Sequence, residues 1–298
     1  MAILISVLTQ QSRDGVRRQS TECKRTMSEI LSNPFLQSSV LPFVIALVIG
    51  LVTSRLLPAW TGVSVMIAFL VAAYFIAGLD FSPLTSTRKI ILTAIAASLV
   101  GMGLDVLSPG RRISNTILLV ISLAAVTWML WPVLSRREGM ALWWPALGAL
   151  AYTGWCVLAF NHVSGKAVAV VSGAMILAAG SGIAATVAAT ALLGQLVSTI
   201  AAGCGALWLL LVFRNIHTGV QLSFPAVLSS ALFGIAAVFY ARLPWVSIGW
   251  LALVPVLALL PAPVKLRWQQ AVYYIVITAL PAGVAVYQAW LTAGDIPF

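Results

Sequence analysis

The sequence predicts an all-α fold, a polytopic bundle of transmembrane helices, and three observations carry that prediction. Hydrophobic residues make up 61% of the 298 and charged residues only 8%, against roughly 25% charged in ordinary soluble domains. The 17 basic and 7 acidic side chains gather in short clusters, separated by uncharged stretches of about the 20 residues a helix needs to cross a bilayer. Turn residues and tryptophans bound those stretches, as loops and interfaces bound spans. A water-soluble fold could not cover so much apolar surface.

About ten stretches meet the length requirement. Residues 39–57 follow a polar, basic tail (1–37) and stop at Pro58. Residues 61–79 open beside Trp60 and end at Asp80 and the Phe81-Ser82-Pro83 turn. The stretch 90–107 follows the pair Arg88 and Lys89 and closes on Asp105 and Ser108-Pro109-Gly110. Residues 113–134 start after Arg111 and Arg112 and end near Trp128 and Trp131, before the break at 136–139. The fifth, 140–160, carries Trp143 and Trp144 and runs into the turn residues 161–165. Residues 167–185 and 188–213 are separated by neither a charge nor a proline, so a turn is placed near Thr186 on length alone. Pro244 closes 223–240, Trp245 and 261–263 bracket 245–260, and 271–291 lies between Trp268 and the C-terminal residues, with Trp290 near its end.

The uninterrupted region 167–213 decides between ten spans and nine. Ten spans put ten Lys+Arg on the N-terminal side: five in the tail, then Arg88, Lys89, Arg136, Arg137 and Arg242. Seven fall opposite: Arg55, Arg111, Arg112, Lys166, Arg214, Lys265 and Arg267. One long tilted helix there, or one span plus a re-entrant segment, gives nine spans and a stronger bias, twelve against five, which the positive-inside rule favours. Span length favours ten. The expected location is a bacterial inner membrane with a cytoplasmic N-terminus. Ten spans would divide near Asn161 into halves 38–161 and 162–298 of five helices each, the second inverted, as in inverted-repeat carriers and in the ten-helix drug and metabolite exporters. The likeness is one of helix count and length, with no shared motif. Met27, just ahead of the first span, is a second expected start of translation; intact mass checks it.

The apolar region 167–206 is rich in small residues: Gly180, Gly182 and Gly194 stand among alanines, with hydroxyls such as Ser198. Small residues let helix backbones approach closely, so these two helices are expected at the centre of the bundle, as packing surfaces or as the lining of a pathway. Gln195 is read as the deepest strongly polar side chain, a helix-to-helix glue or a contact for a solute. Pro225, Pro255 and Pro281 are expected to kink their spans and free carbonyls. Asp80 and Asp105 each stand at a span end ahead of a basic pair, a pattern expected either to pair locally with the interface or to gate a pathway.

Enzymatic and metal chemistry find no support. His162 and His217 are isolated, GxSxG is absent, and Ser164-Gly165-Lys166 lacks the earlier glycine and following hydroxyl of a phosphate loop. Cys23, Cys156 and Cys204 are far apart and form no CxxC pair. Scattered basic singles and pairs argue for lipid headgroups over nucleic acid as the counter-charge. The spans hold almost no ionisable side chain, Arg55 and Asp105 standing near span ends, so proton coupling through a group in the core is disfavoured. The leading functional reading is a small-molecule transporter or permease for a neutral or zwitterionic solute, needing no cofactor. The other is a non-catalytic subunit or assembly scaffold with membrane-protein partners.

Overall fold

The computed structural model describes residues 33–78, 82–135, 143–188, 191–214 and 216–293. Among these the chain forms ten helices and no strand: α1 (Leu36–Leu56), α2 (Val63–Ala77), α3 (Ser86–Leu107), α4 (Arg111–Leu134), α5 (Trp143–His162), α6 (Ala167–Val187), α7 (Ala191–Phe213), α8 (Val220–Ala241), α9 (Trp245–Leu259) and α10 (Arg267–Ala293). Seven of them, α1, α3, α4, α6, α7, α8 and α10, are long and apolar enough to cross a membrane. The 20-residue α5 has the length, but tryptophan, tyrosine and asparagine dilute its apolarity. The 15-residue α2 spans about 22 Å at 1.5 Å per residue, short of a hydrocarbon core of about 30 Å. Two seven-residue pieces meeting at Ala252 make up α9, with Pro255 unable to donate to the carbonyl four residues back. The tail with Met27 and Cys23, and Asp80, lie outside the described residues.

Local chemistry sets most ends. Gly78, at φ +67°, stops α2 in a conformation that costs glycine little. The Thr85 hydroxyl accepts from the Arg88 N–H at 3.4 Å and caps α3. Ser108 and Arg242 close α3 and α8 in the left-handed region.

One long helix over 167–213 is ruled out. The backbone turns after Val187, and α6 and α7 form a hairpin. A Cβ on Gly182 would meet Ser198 Oγ at 3.2 Å and the Gly194 carbonyl at 3.3 Å; one on Gly194 would overlap Thr186 Oγ1 and lie 2.8 Å from the Gly182 carbonyl. The absent side chains are what allow the two backbones to touch.

The centre of the bundle differs from the sequence expectation. In its most apolar stretch α8 is 89% buried, against 67% for α6, 56% for α7 and 22% for α1. Helices α3, α5 and α6 pack most extensively around α8, with α2 and α7 also touching it. Helix α8 carries its own small residues, Ser223, Ala226, Ser229, Ser230, Ala231, Gly234, Ala236 and Ala237, all buried. The remaining packing is α6 on α10, α1 with α2 on α7, α4 on α5, and α9 against α10. Helices of the two expected halves thus interleave, α1 lying on α7 and α3 on α8.

The outer surface is apolar. Val44, Val48 and Val52 of α1 and Val272, Val276 and Leu280 of α10 are exposed at helical spacing, a face that lipid accommodates and water does not. Trp60, Trp128, Trp131, Trp143, Trp144, Trp245, Trp268 and Trp290 are all exposed and stand toward helix ends, where an indole suits the interface. The protein is a membrane helix bundle. The end where α1, α3, α5, α7 and α9 begin is called the near end, and the other the far end.

Candidate functional site

The residues singled out in the sequence do not converge on one place. Gly182, Gly194 and Ser198 form the α6–α7 crossing, whereas Gly180 faces elsewhere, a Cβ there meeting Ala282 of α10 at 2.9 Å and Leu251 of α9 at 3.0 Å. Gln195 occupies the second turn of α7 and is partly exposed. It is nearer the near end than the middle, because the helix that carries it begins at Ala191.

Asp105 has a definite partner. Its carboxylate accepts from the backbone N–H groups of Val220 and Gln221, each at 2.9 Å. Those donors open α8, whose first N–H groups have no acceptor within the helix, and a negative charge there also opposes the positive end of the helix dipole. Gly219 makes this approach possible, since any Cβ would collide with the carboxylate. Gly101 likewise lets α3 close on the Gln221 backbone, its would-be Cβ lying 2.8 Å from the Gln221 Cα. The Gln221 amide then donates to the Ala59 carbonyl, tying the α1–α2 connection to the same corner. Gln221 escaped the sequence reading because the span was expected to begin at 223. Its burial follows from α8 starting three residues earlier.

Lys89 was expected outside its span and instead lies in the first turn of α3, 8% exposed. Its ammonium donates to the Trp128 carbonyl of α4 at 2.9 Å and stands 5.5 Å from the Trp128 ring centroid. In a regular helix that carbonyl would be taken by the N–H of residue 132, which is Pro132, so proline frees the acceptor and lysine occupies it. At the α9 joint the Trp155 indole N–H donates to the Ala252 carbonyl at 3.0 Å. Nearby, the Ser247 hydroxyl donates to the Ala285 carbonyl at 2.9 Å, holding α9 on α10.

The bundle interior holds a set of hydroxyls that differ from the rest. Most buried hydroxyls donate to a carbonyl three or four residues back in their own helix: Thr93 to Lys89, Ser122 to Leu118, Ser181 to Leu177, Ser230 to Ala226 and Thr278 to Tyr274. Such back-bonding satisfies the group locally. Thr153 of α5, Ser172 of α6 and Ser229 of α8 are buried and make no hydrogen bond, and the buried Tyr152 hydroxyl of α5 has only the weak partnership of the Cys156 thiol one turn on. Tyr152, Thr153 and Ser229 stand at mid-length of helices that pack on each other. The Tyr152 hydroxyl lies 4.0 Å from where a Cβ of Gly234 would stand, and that position is 3.9 Å from Ser181 Cβ. Phenol, serine and the bare glycine backbone therefore meet between α5, α6 and α8. An unpartnered buried hydroxyl costs about 1–3 kcal/mol, and no water from bulk reaches the centre of a bilayer to relieve it.

Among the described residues no group of histidine, cysteine and carboxylate side chains could hold a metal ion. Asp105 is the sole acidic residue among them, and it serves a helix end. The seam offers hydrogen bonds without charge. No protein-family model matches the chain, and no curated protein matches it in sequence.

Proposed function

We propose that the protein is a permease for a small neutral or zwitterionic solute, with the route passing along the seam of α5, α6 and α8. The observation that carries this reading is the unpartnered hydroxyls of Thr153 and Ser229 at mid-length of the helices, with the Tyr152 phenol beside them held only by a thiol. A solute bearing hydroxyl or amide groups supplies the missing partners, and a passing solute gains from groups that the resting protein has left free. The lack of an acidic or basic side chain beside them among the described residues suits a solute without net charge. In this reading the membrane is a bacterial inner membrane. The near end, with ten Lys+Arg to the far end's seven, faces the cytoplasm.

The test is a thermal-stability screen of the detergent-purified chain against neutral and zwitterionic solutes, followed by uptake into proteoliposomes. A hit raises Tm by mass action, and Tyr152→Phe or Ser229→Ala abolishes that rise while leaving the unliganded Tm equal or higher. If no solute acts and a second membrane protein co-purifies in fixed ratio, the chain is a subunit or scaffold and the permease reading fails.

A further inference from the structure

At the far end, the start of α6, the end of α7 and the α9–α10 connection enclose a cavity of about 460 Å³. Lys166, His217 and Arg267 line it, together with Ala167, Val168 and Ala169 of the first turn of α6. Two hydrogen bonds build its outer wall. The Tyr274 hydroxyl donates to the Leu260 carbonyl at 2.9 Å, and the Gln270 amide to the Val264 carbonyl at 3.0 Å. These hold the 260–266 segment against α10 and keep the hollow open.

Among the described residues nothing acidic answers this positive lining. The one carboxylate among the described residues, Asp105, is committed to the N–H groups of Val220 and Gln221. The other six acidic residues precede α1, stand between α2 and α3 or between α4 and α5, or follow α10 in the sequence, outside the described residues. No side chain caps α6, so its first N–H groups lack acceptors within the helix and add a partial positive charge to the same hollow.

We infer that this cavity binds a phosphate group, carried by a membrane-lipid headgroup or by a soluble phosphate compound. Two permanent cations, an imidazole and an uncapped helix start offer several donors at one place, the arrangement that the many acceptor oxygens of phosphate require. The depth fits a headgroup: exposed Trp268 stands beside Arg267, at a helix end of the kind that meets the interface. The site is separate from the α5–α6–α8 seam, and the inference does not rest on the permease reading.

The experiment uses the full chain, delipidated, in micelles of a maltoside detergent, which carries no phosphate. Inorganic phosphate is titrated in one arm, and phosphatidylglycerol is added to the micelles in the other, with Tm and bound lipid as readouts. Stabilisation in the first arm identifies a soluble ligand and in the second a headgroup. In either case Lys166→Gln with Arg267→Gln weakens the response roughly tenfold or more. Arg111→Gln with Arg112→Gln, at the same end but outside the cavity, leaves it unchanged. All four side chains are exposed, so the variants keep their fold, which their unliganded Tm verifies. The inference is overturned if neither probe stabilises the protein, or if the Lys166 and Arg267 variant responds as the parent does.

Discussion

Replacing Lys89 by methionine tests whether a proline in one helix has created the need for a lysine in another. The substitution keeps the length and the apolar stem but removes the ammonium that takes the Trp128 carbonyl at 2.9 Å. Leaving that carbonyl unpaired in the bundle costs about 1–3 kcal/mol, and the lost contact with the indole face adds about 0.5–1 kcal/mol. Relief from burying a cation offsets part of this, so a net loss of about 2 kcal/mol is expected. In a Pro132→Ala background the helix supplies its own N–H to the carbonyl, and Lys89→Met should then cost close to nothing. The coupling between the two substitutions is therefore about 1–2 kcal/mol, well above the error of such cycles. Reversible unfolding of the four variants in mixed micelles, with rising SDS fraction, reads it directly. Equal losses from Lys89→Met in both backgrounds would refute the reasoning, because the lysine would then be acting on something other than the freed carbonyl.

Other outcomes follow from the same structure. Asp105→Ala removes both acceptors from the start of α8 and should destabilise the protein by about 1–3 kcal/mol; in a transport assay normalised to folded protein, an unchanged rate shows a helix cap and an altered rate a gate. Gly194→Ala drives a methyl into Thr186 and the Gly182 carbonyl and should cost about 1–3 kcal/mol, whereas Gly283→Ala, whose Cβ meets nothing, should leave Tm unchanged or slightly raised. Ser229→Ala should raise Tm if its hydroxyl has no partner in the membrane, and a fall in Tm would mean that a bound molecule pairs with it.

The run of apolar stretches was legible because the cost of unpaired peptide groups in lipid leaves helices as the only economical reading, and the turn residues marked nearly every boundary. Among the described residues ten helices stand where ten spans were expected, seven of them long and apolar enough to cross a membrane, and the break near Thr186 is real although no charge or proline announces it. What the pattern could not convey is which helix lies inside. Composition drew attention to α6 and α7, yet α8, with fewer small residues than α6, is more deeply buried. A hydropathy profile is blind to neighbours, and α8 is central only because α3, α5 and α6 surround it. The partners of Asp105 were equally hidden. Arg111 and Arg112 are close in sequence, while the N–H groups it serves are 115 and 116 residues away. Lys89 was misplaced by one turn of helix, and the clue to its burial, Pro132, lay on a different span.

The enclosure of α8 also bears on how the chain is made. A segment enveloped by protein on nearly every side has little of its own to offer the lipid, and it emerges from the ribosome only after seven others. Its main neighbours, α2, α3, α5, α6 and α7, are all synthesised earlier, so a vacant berth can await it in the partly assembled bundle. Synthesis halted after α7 would leave that berth open, with Asp105 lining it and no helix start to serve. Late arrival makes α8 the keystone, and quality control that senses polar groups stranded in lipid would read its absence directly.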